Sequence, residues 1–211
     1  VMGRVQQKRT LPAEVTASCA GRWVIVAGST HTDDDELLLP LISKLSVHDS
    51  NVLLLVIPHD PSSQARRRIE AQCRLNGIRF HDSERGTAGS DAQVVLVNRT
   101  GMLADLYRLG RVAYVGGGFG RGVHSVLEPM AGGLPVLCGP NIGVSNEARE
   151  ASVEEIVRVV TGRRQAERWI AELITDAKRL NLLSNQARRF VESRTGVARR
   201  IADRLKECLG E

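Results

Sequence analysis

VAYVGGGFGRGVHSVLEPMAGGLPVLCGP, residues 112–140, carries the reading of the fold. VAYV (112–115) is an apolar run without polar alternation, the pattern of a strand covered on both faces. Five of the next seven residues are glycine: Gly116, Gly117, Gly118, Gly120 and Gly122. A helical pattern starts near His124-Ser125 and stops at Gly132-Gly133, and PVLC (135–138) is the next strand. Strand, glycine loop, helix and strand make one unit of a parallel α/β sheet. A plain tight turn needs one or two glycines. Five permit close backbone approach and aim free N–H groups at an anion, which the positive end of a helix favours. Arg121 carries a planar fork that matches phosphate or carboxylate. Ser125 is a candidate N-cap. Glu128 stands three residues later, so it either completes a capping box or accepts hydrogen bonds from a ribose diol, and the residues alone leave both readings open. Gly139-Pro140 is a rigid turn that bounds a base or sugar pocket.

Outward from this stretch the same alternation recurs. Apolar runs at 23–27 (WVIVA), 52–57 (VLLLVI), 78–81, 94–97 (VVLV) and 156–160 (IVRVV) are further strand candidates, giving about six or seven in all. Asp33-Asp34-Asp35-Glu36 opens a helix, where acidic residues suit the helix dipole, and Leu37, Leu38, Leu41, Ile42 and Leu45 form its buried side. A second helix spans 62–76 with Gly77 as C-cap, and a third spans 102–109 and ends at Gly110. Of Arg66-Arg67-Arg68 in the second helix, at least two are expected on the surface. From Gln165 the period is helical, with breaks expected near Ser184 and Gly196, while 84–91 (ERGTAGSD) reads as a loop. The fold class is α/β, a Rossmann-like parallel sheet with flanking helices.

The bulk numbers fit one such domain. The chain has 211 residues, 42% apolar and 25% charged, which excludes disorder, collagen and coiled coil for the whole. Three Phe, two Trp and two Tyr are too few for an aromatic RNA-binding or carbohydrate-binding platform. The net charge of +5 is concentrated in 158–206, with 13 basic against 5 acidic residues. That stretch suggests an anionic neighbour or, more plainly, a solvated helix face. Cys19, Cys73, Cys138 and Cys208 show no metal-type spacing and read as reduced thiols. There is no apolar run of membrane-spanning length and no signal peptide. The opening VMGRVQQ reads as the start of a fragment, so residues 1–20 are expected to be linker or the start of that fragment, 21–195 the Rossmann-like domain and 196–211 a C-terminal helix.

Other strand exits carry ligand-type residues. Gly28-Ser29-Thr30-His31 follows the first strand and offers two hydroxyls for an anion or a helix cap. Pro58-His59-Asp60 follows the second, where His59 is a donor or a solvent-facing loop residue. Neither is a GxGxxG dinucleotide fingerprint. No DxD motif stands outside the helix start, and no close His, Cys or carboxylate ligand set is visible, so no metal and no cofactor are expected.

GGGFGRGVHSVLEPMAGGLPVLCGP (116–140), with GSTH (28–31), Pro58-His59 and NRTGMLADLY (98–107) in order and spacing, resembles the C-terminal domain of the bacterial Kdo transferases. These are GT-B glycosyltransferases that move 3-deoxy-D-manno-octulosonic acid (Kdo) from CMP-Kdo to a lipid A precursor. The resemblance covers about residues 21–205 and implies a set of donor-binding roles. Ser29 and Thr30 help bind the donor, and His59 stands at a strand end near the nucleotide. Thr100, Gly101, Met102 and Leu103 open a short helix close to the cytidine. Gly117, Gly118, Phe119, Gly120, Arg121, Gly122 and His124 cradle the phosphate and Kdo. Glu128 takes the ribose hydroxyls, Asn141 lies by the pocket, and Asn146 and Glu147 face the donor sugar. Many members have Arg-His after the proline where this chain has Pro58-His59-Asp60, one positive charge fewer. The family's catalytic base and membrane-anchoring segment belong to an N-terminal acceptor half that this chain lacks, so it implies no catalytic residue here and an isolated donor domain without transfer activity of its own. The implied partners are the donor CMP-Kdo, that acceptor half, and, through the full-length protein, lipid A precursor at the cytoplasmic face of the inner membrane. Nucleic acid is not an expected partner. The alternatives are another GT-B transferase or UDP-sugar epimerase half, and a non-enzymatic Rossmann-like binding module.

Overall fold

Strand side chains sort alternately to two faces, and that alternation places every helix. The computed structural model describes residues 10–85 and 91–209. Its elements run α1 (Ala13–Cys19), β1 (Trp23–Thr30), α2 (Thr32–His48), β2 (Val52–Pro58), α3 (Ser63–Leu75), β3 (Phe80–Asp82), β4 (Val94–Leu96) and α4 (Leu103–Leu106), which a 3-10 turn (Tyr107–Leu109) continues. Then come β5 (Val112–Val115), α5 (Leu127–Ala131), β6 (Val136–Cys138), α6 (Asn146–Val153), β7 (Val157–Val159), α7 (Arg163–Thr175) and α8 (Ala177–Leu209). Among the described residues the strands form one parallel sheet in the order β3-β4-β2-β1-β5-β6-β7.

Val24, Val26, Leu53 and Leu55 face one side, where they meet α1 through Val15, α5 through Met130 and α8 through Phe190. Ile25, Ala27, Leu54 and Val56 face the other, against Leu38 and Ile42 of α2, Ile69 of α3 and Trp169 of α7. Each fully buried aliphatic side chain is worth about 1.5–3 kcal/mol, so the two-sided apolar runs set both the sheet and its covering layers. The chain winds from β1 towards β3 on one side and restarts at β5 on the other. The strand order therefore reverses between β1 and β5, and the crevice at their carboxyl ends is where an open α/β sheet binds ligands.

Several expectations are corrected. Part of the stretch read as linker is helical, since α1 buries Val15 and Cys19. The fourth helix is only five residues long, Leu127–Ala131, and its N-cap is Val126 with no side-chain cap. Burial of Val126 turns Ser125 outward, so neither the Ser125 cap nor the Ser125–Glu128 capping box forms. The break in the C-terminal helices falls at Asp176, whose Oδ1 accepts from the Arg179 N–H at 2.9 Å, and α8 runs on through Ser184 and Gly196. One internal glycine costs a helix about 1 kcal/mol, too little to stop one this long. Only Arg67 of the arginine triplet is exposed. Arg66 pairs with Asp82 at 2.7 Å and also with Glu84, and Arg68 pairs with Asp35 at 2.7 Å.

Within the loop 84–91, residues 86–90 lie outside the described residues. Over residues 158–194, the part of the basic stretch whose side chains are described, it is largely a solvated face with local pairs, Arg179 to Glu172 and Arg194 to Glu150. Cys19, Cys73 and Cys138 are buried free thiols, and burial pushes their pKa up to about 11, 12 and 12. Cys208 lies outside the described side chains. Among the described residues no helix is long and apolar enough to cross a membrane.

Candidate functional site

The β1–β5 crevice is organised by a carboxylate that the sequence reading assigned to the helix dipole. Asp34, in the first turn of α2, is buried. Its Oδ2 accepts from the Gly117 N–H at 3.0 Å and the His31 N–H at 2.9 Å, and its Oδ1 accepts from the Tyr114 hydroxyl. One side chain thus joins the N-terminus of α2, strand β5 and the glycine loop. Burial raises the Tyr114 pKa, with Asp34 adding to the shift, so the phenol stays a donor. The repeated acid in DDDE gave no sign of which residue turns inward.

The glycine loop is wired largely to itself. Gly117 carbonyl oxygen accepts from Gly120 and Gly122 N–H at 3.0 Å each, and Gly116 carbonyl from His124 N–H at 3.1 Å. Asn141 clasps it from the next loop. Its backbone N–H donates to Gly118 at 2.8 Å, its side-chain amide donates to Gly120 at 2.9 Å, and its carbonyl accepts from Val123 at 3.0 Å. A Cβ on Gly118 would stand 2.7–2.9 Å from the backbone of Gly139, so two loops meet there with no room for a side chain. Much of the glycine content therefore serves packing rather than ligand approach. Among the described residues, the N–H groups of Gly118, Phe119 and Arg121 are left without a partner, as is the exposed Arg121 guanidinium. The expected helix dipole is weak, because α5 is so short.

The loop forms one wall of a cleft of about 620 Å³ that also takes in His31, Asp33, His59 and Asp60. Three imidazoles converge in it. His31 Nε2 lies 3.1 Å from His124 Nε2, and the His59 ring is 4.5 Å from His124 and 4.7 Å from His31, centroid to centroid. Burial first, and then the neighbouring His59 and His31, lower the His124 pKa. His59 and His124 belong to the expected site. His31 was noted only as part of GSTH, and no spacing in the sequence tells that the three meet. The expectation of no close ligand set thus fails in space. His124 also walls a second cleft of about 250 Å³ with Ser125, Leu127, Val144 and Glu147.

The remaining expected residues divide. Ser29 sits at φ +54°, a left-handed conformation uncommon outside glycine, at a register shift in β1. Thr30 is buried and lines a third, smaller cleft of about 200 Å³. Glu147 reaches the second cleft and accepts from Ser145 Oγ at 3.1 Å. Asn146 is exposed, accepts from Arg149 Nη2 at 2.8 Å, and lines none of the three clefts. Thr100 and Gly101 are exposed and Met102 packs on the core, all outside these clefts. Their segment reaches the crevice indirectly. Leu103 and the Tyr107 hydroxyl press on Gly28, where a Cβ would stand 2.2 Å from that hydroxyl. Burial raises the Tyr107 pKa and the Glu128 carboxylate adds to it, while Glu128 itself lines none of the three clefts. The half-buried Glu128 carboxylate has no hydrogen-bond or ion-pair partner among the described residues.

No protein-family model matches the chain. It is similar to a 3-deoxy-D-manno-octulosonic acid transferase of Bordetella pertussis, 29% identical over 201 residues, which are 92% of this chain and 46% of that protein. The enzyme of the same name from Aquifex aeolicus is 33% identical over 127 residues, 60% of this chain and 34% of that one. Among solved structures, the C-terminal CMP-Kdo binding domain of WaaA from Acinetobacter baumannii matches with a TM-score of 0.73 at 21% identity, covering 90% of this chain and 99% of that domain. In sequence the chain resembles the Kdo transferases, and in fold it resembles the C-terminal CMP-Kdo binding domain of WaaA. The chain spans less than half the length of the curated relatives it matches. Its sheet reversal, glycine loop and three clefts all lie within the matched region.

Proposed function

We propose that this domain binds CMP-Kdo as the donor half of an inverting glycosyltransferase, which passes Kdo to a lipid A precursor at the cytoplasmic face of the inner membrane. One observation carries the reading. Unengaged donors (the N–H groups of Gly118, Phe119 and Arg121, and the Arg121 guanidinium) follow β5 at the strand-order reversal, and an unengaged acceptor, Glu128, stands further along the same β5–β6 connection. A sugar nucleotide needs both kinds of group. Its phosphate takes the donors, and its ribose diol offers two hydroxyls to two carboxylate oxygens. The donor carries a second negative charge on the Kdo carboxylate, which suits the Arg121 side of the larger cleft. His124 walls both clefts and can donate an N–H to a phosphate oxygen between them.

In the proposed reaction the bond from the anomeric carbon of Kdo to the phosphate oxygen breaks and CMP leaves with the electron pair. An acceptor hydroxyl attacks the opposite face of that carbon and loses its proton to a base outside this chain. The domain contributes by holding the donor and by stabilising charge on the departing phosphate. Similarity over 201 residues to a protein named for this transfer supports the choice of donor over other sugar nucleotides.

The test is calorimetric titration of the chain with CMP, UMP and UDP at one salt concentration. Saturable binding that prefers CMP is the expected result. Glu128→Ala should weaken CMP about 10- to 100-fold, the scale of hydrogen bonds to a charged group, while leaving the unfolding midpoint in place. A preference for UDP would keep the GT-B fold and overturn the donor. Unchanged CMP affinity in Glu128→Ala would overturn the ribose role.

A further inference from the structure

The histidine cluster goes beyond donor binding. The strand order β2-β1-β5 puts three carboxyl ends side by side, and each delivers one histidine to the same point: His59 after β2, His31 after β1 and His124 after the loop from β5. Adjacent strands lie about 4.8 Å apart, which a histidine side chain spans easily. One ring nitrogen from each of the three comes within 4.8 Å of the others. We infer that His31, His59 and His124 form a binding site for a divalent first-row transition ion of the zinc type, with its fourth position open to the cleft.

The geometry can be checked against the ion. Zinc–nitrogen bonds of about 2.0–2.1 Å in a tetrahedron put neighbouring ligand nitrogens about 3.3 Å apart. The His31 and His124 Nε2 atoms are already 3.1 Å apart. The rings lie within 13–30° of parallel, so lone pairs converge on one ion only after an imidazole turns. His31 and His59 are exposed and have room to turn. Imidazole selects zinc, cobalt, nickel or copper over magnesium and calcium, which prefer oxygen. Three protein ligands with an open fourth position is the arrangement of an ion that takes water or an anionic oxygen, not of a closed structural site. Asp33 and Asp60 line the same cleft and are the carboxylates within its walls able to add a ligand. The thiols of Cys19, Cys73 and Cys138 are buried and are not part of the cluster.

The test needs no nucleotide, so it stands apart from the donor assignment. The chain is titrated with Zn²⁺ by calorimetry and with Co²⁺ by visible absorption, whose bands report a low-coordinate nitrogen site. One ion per chain is expected, with little response to Mg²⁺. His31→Ala and His59→Ala remove exposed side chains and should each weaken Zn²⁺ at least tenfold. The double variant should abolish the Co²⁺ bands, and His81→Gln, outside the cluster, should leave both readouts unchanged. Absence of Zn²⁺ binding would overturn the site and leave a hydrogen-bonded, stacked imidazole group. Zn²⁺ affinity that survives the double variant would overturn it equally, by assigning the ion to other residues.

Discussion

The β5 and β2 walls at the carboxyl edge of the sheet, which border the main cleft and the third cleft, are held in place by different forces. On the β5 side, neutral donors converge on Asp34, the Asn141 amide holds a loop carbonyl, and two backbones touch at Gly118 and Gly139. On the β2 side, α3 is tied by ion pairs, Arg68 to Asp35 and Arg66 to Asp82 and Glu84, with Arg99 on Glu84 at 2.8 Å. Asp34 and Asp35 are sequence neighbours with equally buried side chains, yet each serves one wall. Hydrogen bonds to a buried carboxylate and close backbone contact fix a shape, and burial leaves them little screened by salt. Partly exposed ion pairs are screened by salt and respond to pH. The wall that must present N–H groups at fixed positions is the one built without ion pairs, which is the preorganisation an anion site requires.

Removing the Asp34 carboxylate should break this contrast most severely. Asp34→Ala leaves the Tyr114 hydroxyl and the Gly117 N–H buried without an acceptor. Each such group costs about 1–3 kcal/mol, so chemical denaturation should show a loss of about 3–5 kcal/mol, unchanged between low and high salt. A loss that salt alters would mean that the β5 wall, too, depends on long-range charge.

Backbone contact makes a smaller and more local prediction. Gly118→Ala forces two loops apart and should lose about 1–3 kcal/mol, the usual cost of overpacking. In Gly120→Ala, three residues from the clasp at Val123, the new Cβ meets nothing closer than the Gly117 carbonyl at 3.8 Å. It should unfold at the wild-type midpoint. Equal effects from the two substitutions, read by thermal unfolding, would show that glycine is needed for flexibility and not for space.

The β2 wall should give the smallest change and the one that depends on pH. Burial raises the Asp35 pKa against the pull of Arg68. A carboxyl whose folded pKa lies above its unfolded value binds more protons when folded. Stability is therefore lowered by its ionisation above the folded pKa, and that loss is relieved as pH falls through it. Arg68→Ala removes the compensating cation and should cost about 1 kcal/mol at pH 7, discounted because the arginine is partly exposed. The deficit should shrink on going from pH 7 to pH 5. A deficit that grows on acidification would reverse the sign assigned to Asp35.

Much of the fold was legible because it follows from local runs. VLLLVI and VAYV became β2 and β5 at the expected places, and the leucines of α2 are buried as their spacing requires. What stayed hidden depends on partners far along the chain. Asp34 looked like any acidic residue at a helix start, and its function comes from Tyr114 and Gly117, 80 and 83 positions away. His31 and His124 are separated by 93 positions and meet only because β1 and β5 are neighbours. The helix break was sought at Gly196 because glycine is a poor helix former, whereas an aspartate cap at Asp176 sets it. The glycine loop was read as a ligand cradle by composition alone, but Gly118 owes its identity to Gly139.

The most direct test of where the donor binds is an amide NMR titration of the chain with CMP. The account predicts that the largest shifts fall on Gly118, Phe119, Arg121 and His124, with a further group around Glu128, and that the amides of α3 and β3 stay fixed. Shifts confined to α3, β3 or the α7–α8 face would contradict it and move the nucleotide away from the β1–β5 crevice.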